Sequence, residues 1–227
     1  MLVQLPANAR YIMRLDGRSF KNFTKRFAKP YDEKFMSVMD EACVRLCQEI
    51  SGAEFGYVQS DEISIVFSDL RGANTQMWFN GKLQKVLSIS ASLVSGVLIT
   101  RLGCDTDNIP MFDARIIAVE DTEVVDRYLA WRSKDAYKNA ITMAAQTMTS
   151  HRELSGMNTR ARVELLSGTD YDEAKLPEGF KRGRSVRQVE QAGTVEYVDK
   201  RSGELNITDV VRRVWTVEPY RGVPFQA

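Results

Sequence analysis

A chain of 227 residues with 44% apolar side chains can bury one large core, or one core with an appendage, which excludes a disordered chain. Lys and Arg number 31 against 30 Asp and Glu, a net charge of +1, so a globally basic nucleic-acid binder is excluded while a local basic patch is not. Three cysteines (Cys43, Cys47, Cys104) and one histidine (His151) exclude histidine-rich metal sites, form no zinc cluster and give a Ser-His-Asp triad little support; the sparse, odd thiol count fits a reducing compartment, and the cytoplasm is the expectation.

No basic region followed by an apolar stretch opens the chain, so no signal peptide is expected. Residues 10–16 alternate as a strand. Glu33 to Ile50 carries Phe35, Val38, Met39, Ala42, Leu46 and Ile50 at helical spacing, with Pro30 and Asp32 as start signals and Ser51-Gly52 as the stop. Residues 54–59 and 63–68 read as strands joined by a hairpin tip at Ser60-Asp61-Glu62. Gln76 to Thr100 reads as a long helix; its apolar stretch Val86 to Leu98, broken by serines and Gly96, reads as too short and polar to span a bilayer. Phe112 to Val119 is a strand, and Asp121 starts a helix that runs to about Thr149. The order β-α-β-β-α-β-α is the ferredoxin-like arrangement of an α/β (α+β) domain. Beyond it follow a short helix (Met157 to Leu166), a loop (Ser167 to Gly183) and three strand-like segments, Ser185–Gln191, Thr194–Val198 and Val211–Val217, with a turn at 199–203. The expected division is 1–150 for the catalytic domain and 151–227 for a C-terminal helix, basic loop and strands packed on it.

Asp16 and Asp61 each stand where an apolar strand stops. In this topology the first strand and the hairpin share a sheet, so two acids 45 positions apart become neighbours. Two carboxylates there suit a pair of divalent cations ~3.5–4 Å apart and a nucleoside triphosphate. Each acid also has a plainer reading, an Asp-Gly turn at Asp16-Gly17 and a hairpin tip at Ser60-Asp61. Arg18, Lys21, Lys25, Arg26 and Lys29 follow the first strand, and Lys82 and Lys85 share a helix face; they suit a triphosphate or are solvated surface. No Walker-type loop is present. Tyr128 to Asn139 interleaves aromatics with Arg132, Lys134 and Lys138, which suits stacking and phosphate contacts on RNA, or a helix that buries Leu129 and Trp131. Lys181-Arg182-Gly183-Arg184 is a compact basic loop.

Arg14-Leu15-Asp16-Gly17-Arg18-Ser19-Phe20, Phe27-Ala28-Lys29-Pro30, Gln59-Ser60-Asp61-Glu62, Phe112-Asp113-Ala114-Arg115 and Tyr128-Leu129-Ala130-Trp131-Arg132, in this order, resemble the tRNA-His guanylyltransferase family and its template-dependent 3′-to-5′ polymerase relatives. The resemblance implies a polymerase palm with extra helices and a small C-terminal β-rich appendage. It implies addition of a nucleotide, GTP in the named reaction, to a tRNA 5′ end after activation of the 5′-phosphate with ATP, and a tetrameric assembly away from membranes. By motif position, Asp16, the Gly17 carbonyl and Asp61 would bind two Mg2+ ions, with Glu62 supporting the acidic centre. Arg18, Ser19, Phe20, Lys21 and Ser60 would line the nucleotide site, and Lys29, Asp32, Lys82 and Lys85 would contact triphosphate or activating nucleotide. Arg132, Lys134, Asn139, Lys181 and Arg182 would meet RNA. The family usually has histidine at Lys21, and a His-Ile-Asn-Asn stretch where this chain reads Tyr137-Lys138-Asn139-Ala140. That departure favours a relative that repairs shortened 5′ ends against a template. The alternatives are a palm-type nucleotide cyclase and a non-catalytic RNA-binding palm.

Overall fold

In the computed structural model, residues 3–70, 76–201 and 203–222 are described. Six strands form one sheet in the order β4-β1-β3-β2-β5-β6, every pair antiparallel: β1 (Arg10–Gly17), β2 (Ala53–Gln59), β3 (Glu62–Ser68), β4 (Phe112–Val119), β5 (Arg184–Val198) and β6 (Leu205–Pro219). Side chains alternate across a strand, so Tyr11, Met13 and Leu15 of β1 enter one core with Ile63, Ile65 and Phe67 of β3, while Ile12 enters another with Val66. A short helix α1 (Phe20–Phe23) follows β1, and the first core is closed by α2 (Glu33–Glu49) and α3 (Leu83–Leu102). The second is closed by α4 (Thr122–Met148) through Val125 and Leu129. A third cluster joins the end of α4 (Ile141, Ala144, Ala145) to Leu166 of α5 (Thr159–Leu166). Each buried aliphatic or aromatic side chain contributes ~1.5–3 kcal/mol.

The helices begin where the sequence offers caps. Asp32, Asp121 and Asn158 accept from Phe35, Val124 and Ala161 backbone N–H groups at 2.8, 2.8 and 2.9 Å. Four expectations are corrected. The long helix starts at Leu83, not Gln76, because Phe79 and Asn80 take left-handed backbone (φ 49° and 52°) in a 3-10 turn, and Gly81 and Lys82 bond back to Leu5 and Gln4. The C-terminal segments are two continuous 15-residue strands, since β5 and β6 pair along their whole length and carry residues of weak strand pattern. A short α6 (Glu178–Arg182) lies inside the expected loop. The helix α3 is long and apolar enough to cross a membrane by length and composition, contrary to the sequence reading. It packs Val86, Val94 and Leu98 into the core, yet only 22% of its apolar stretch is buried.

β5 hydrogen-bonds to β2, so the C-terminal strands extend the same sheet. Gly183 (φ 85°) makes this join possible: a Cβ there would stand 2.3 Å from the Tyr57 hydroxyl, which donates to the Arg182 carbonyl at 2.8 Å. Arg184 then reaches α2, 2.5 Å from Asp40.

Candidate active site

The site stands where β1 and β3 end together. Asp16 is opposite Glu62 in the ladder and opposite Asp113 on β4. The Gly17 N–H donates to the Asp61 carbonyl at 3.2 Å, which ties the tip of the β2–β3 hairpin to the end of β1. Ser60 takes left-handed backbone (φ 52°) in that tip. Gly17 is required at its place, because a Cβ would meet the Phe20 ring at 2.2 Å.

Glu62 is buried and has both oxygens occupied. Arg132 donates from Nε to Oε1 at 2.7 Å and from Nη2 to Oε2 at 2.6 Å, and Arg14 stands 2.7 Å from Oε2. Arg14 also bonds Asp16 at 3.1 Å, and Asp135 is 3.3 Å from Arg132. A cavity of about 370 Å³ opens over this cluster, lined by Asp16, Ser60, Asp61, Arg132, Asp135 and Asn139 among others. Asp16, Asp61, Glu62 and Asp135 face two guanidiniums, and both of those lie on Glu62. Among the described residues no ion pair reaches Asp61. Burial pushes its carboxyl above the usual range, outweighing hydrogen bonds from its own backbone N–H and from the Ser60 side chain, and the Asp16 charge adds to the rise. Burial also pushes Glu62 up, against the opposing pull of Arg132 and Arg14. The cluster therefore holds an excess of negative charge built from hard oxygen donors.

A second hollow continues from the first. It shares Gln59, Ser60 and Met143 with it and is lined by Phe27, Ala28 and Asp32. The Ala28 N–H donates to Asp32 Oδ2 at 3.2 Å.

The family model described as tRNAHis guanylyltransferase matches residues 2–120. The chain belongs to the tRNAHis guanylyltransferase family. Named members of the family are nucleotidyltransferases. An uncharacterised protein of Acanthamoeba polyphaga mimivirus is 30% identical over 78% of this chain and 70% of its own length. Arabidopsis thaliana tRNA(His) guanylyltransferase 1 is 26% identical over 82% of this chain, which spans about a third (35%) of that enzyme. A bacterial tRNA(His) guanylyltransferase-like protein, solved in complexes with GTP and with ATP, superposes with TM-scores of 0.77 and 0.78 at 29% and 31% identity. Each superposition covers 97% of this chain, and 87% or 88% of the other. The Saccharomyces cerevisiae enzyme (TM-score 0.68, 21% identity) shares the fold.

Against that family the expected site residues divide. Asp16, Gly17, Ser60, Asp61 and Glu62 come together, with Arg18, Ser19 and Lys21 exposed on the turn that follows Gly17. Lys29 and Asp32 line the adjoining hollow; Asp32 also caps α2, and Lys29 Nζ donates to the Thr24 carbonyl at 3.0 Å. Five of the expected residues are placed away from the contacts expected of them. The Phe20 ring is buried among Phe23, Phe35 and Phe112, so only its backbone can face a nucleotide. Arg132 is consumed by Glu62 and Asp135, and the Lys181 ammonium is 2.6 Å from Glu178 and donates to the Glu173 carbonyl, so neither is offered to RNA. Lys82 and Lys85 stand at the N-terminus of α3. The stretch of that helix that shares a cavity with Arg18 and Phe112 runs from Ala91 to Ile99, which leaves Lys85 about 9 Å of helix or more short of it, and Lys82 further. Trp131, read as a buried alternative, is 55% exposed. Asn139 lines the acid cavity, while Lys134 and Arg182 border a different one on the other flank of α4.

Sequence reasoning missed Arg14 and Asp135. Arg14 was legible as the residue two before Asp16, on the same strand face, and Asp135 as one helical turn beyond Arg132.

Proposed function

We propose that the chain is a Mg2+-dependent nucleotidyltransferase that adds nucleotides to the 5′ end of tRNA in the 3′-to-5′ direction, and that it repairs shortened ends against a template. One observation carries the reading: four carboxylates share a cavity with two guanidiniums, Arg132 on Glu62 and Asp135, and Arg14 shared by Glu62 and Asp16, which leaves Asp61 without an ion pair beside Asp16. Asp16, Asp61 and the Gly17 carbonyl fit Mg2+, a hard ion that takes one or two carboxylates together with substrate phosphates. Among the described residues no group of three or more acidic, His or Cys side chains gathers as a metal cage, and a nucleotide-shared ion needs none. Bound there, the metal would supply charge neutralisation at the attacking and leaving oxygens.

The chain's own groups do the rest. Arg18 and Lys21 project beside Gly17 and would neutralise the triphosphate of the incoming GTP or the activating ATP. The hollow between Phe27, Ala28 and Asp32, about 60 Å³, opens from the acids through Gln59 and Ser60 and would admit the edge of a base, with the Asp32 carboxylate as acceptor there. Glu62, pinned by Arg132 and Arg14, holds α4 on the sheet and keeps the acids facing the cavity. The incoming 3′-hydroxyl attacks the activated 5′-phosphate, a new phosphodiester forms, and the activating nucleotide leaves.

Two features support a homo-oligomer, a tetramer by family likeness. The α3 helix is apolar and little buried, and β6 exposes Leu205, Ile207 and Val211 on one face, with Asp209 between the last two. The three free thiols fit a reducing compartment, and we place the protein in the cytoplasm. The test offers full-length and 5′-truncated tRNAs with labelled GTP, ATP and Mg2+. Addition to truncated ends that follows the opposing base is expected; addition confined to tRNA-His irrespective of template overturns the repair reading. Light scattering on the purified chain gives the assembly, and a monomer at micromolar concentration overturns the tetramer.

A further inference from the structure

A separate groove of about 580 Å³ opens on the flank of α4 that faces away from the acids. Lys134 of α4, Arg182 of α6 and Arg221 after β6 border it, together with a single carboxylate, Glu178. Three cations to one acid is a local imbalance in a chain whose total is +1. Glu178 already stands 2.6 Å from Lys181 and 3.9 Å from Arg182. Among the described residues no ion pair reaches Lys134 or Arg221, and both are exposed. The Arg182 guanidinium lies 4.9 Å over the Tyr137 ring, which holds it at the rim. The floor is Pro219 and Tyr220. The Tyr220 ring is 6% exposed and sits edge-on to Tyr57, so the floor is rigid and apolar.

Cationic rims over an apolar floor, with no closed cage of buried donors, suit phosphates strung along a ribose chain better than a single small anion. The groove's position agrees. The helix α4 walls both cavities, with Arg132 and Asp135 on the acid side and Ser133 and Lys134 on the groove side. A helix with its side chains is ~10–12 Å across. An RNA strand with its 5′ end at Asp16 and Asp61 reaches the groove after crossing one helix, over the exposed Trp131.

We propose that this groove holds the sugar-phosphate backbone of the RNA substrate near its reacting 5′ end, with Lys134, Arg182 and Arg221 as phosphate contacts; the inference rests on the activity proposed above. Backbone contacts fix register without reading bases. That matches an enzyme in which the template strand selects the added base.

The test measures affinity for a 5′-truncated tRNA by fluorescence anisotropy across a range of KCl concentrations. The wild type is compared with Lys134→Gln, Arg221→Gln and the triple change Lys134→Gln/Arg182→Gln/Arg221→Gln, and Mg2+-dependent GTP binding is measured on each protein. Each single change should weaken RNA binding and lower the slope of log K against log salt by about 1, and the triple change by about 3, with GTP binding unaltered. The single changes, at exposed side chains, give the answer even if the triple variant fails to fold. Wild-type affinity and slope in folded variants overturn the groove and leave the proposed activity standing. A wild-type protein that binds GTP but no tRNA overturns the proposed activity, and the groove with it.

Discussion

The two ends of the β1–β3 pair carry similar chemistry to different effect. At the far end Arg10 stands 2.8 Å from Glu54, whose other oxygen accepts from the Ser68 hydroxyl, and Asp69 accepts from the Asn8 and Ala9 backbone N–H groups at 2.9 and 3.2 Å. Every carboxylate there has donors from within the chain. At the near end Glu62 is held by two guanidiniums, while Asp61, in the adjacent position, has only the Ser60 side chain and its own backbone N–H to set against burial and the Asp16 charge. A buried Arg–Glu cluster is therefore a structural joint in this sheet. What marks the site is the carboxylate left over once the joint is made.

The comparison can be broken at several points. The largest effect is expected at Asp61→Asn and Asp16→Asn, which should lower 5′ addition by about 10³-fold or more, equivalent to ~4 kcal/mol of transition-state stabilisation. The thermal midpoint of Asp61→Asn should equal or exceed wild type, since burial and the Asp16 charge outweigh the hydrogen bonds its carboxylate accepts; a large drop in Tm would make this acid structural as well. Next comes Arg132→Ala, which removes two of the hydrogen bonds on the buried Glu62 and leaves it to Arg14 alone. A loss of ~3–5 kcal/mol in denaturant unfolding is expected, and a loss under ~1 kcal/mol would deny the joint its role. Smaller again is Arg10→Gln at the far end. Its side chain is partly solvated, so a cost of ~1–2 kcal/mol is expected. Addition per folded molecule should stay within about twofold of wild type, and a loss as deep as that of Asp61→Asn would erase the distinction between the two ends. The smallest effect lies outside the sheet. Hydrogen bonds from Thr149 and Ser150 hold the exposed Glu153 carboxyl down at about 2. Because the folded value is depressed, its stabilising contribution is present above the ordinary glutamate range and fades as pH falls toward 2. A side-chain NMR titration that returns an ordinary glutamate value would contradict those bonds.

The order β-α-β-β-α-β and the meeting of Asp16 with Asp61 were legible because strand alternation and helix caps are local signals, and because this topology places the first strand beside the hairpin. The Glu62–Arg132 joint was not, since its partners are 70 positions apart and an arginine beside a tryptophan on a helix reads equally as an RNA contact. Lys82 and Lys85 misled for a related reason: helical spacing shows that two lysines share a face and says nothing of which end of the sheet they occupy. The first half of β6 carried too weak a pattern to be seen alone and is a strand through its pairing with β5.

The central claim is most directly tested by calorimetric titration of GTP into the protein with Mg2+ and again with the metal chelated by EDTA, for wild type and for folded Asp61→Asn. GTP binding that depends on Mg2+ is expected in the wild type, lost or strongly weakened in Asp61→Asn with the metal present. Equal, metal-independent binding by both proteins would contradict it.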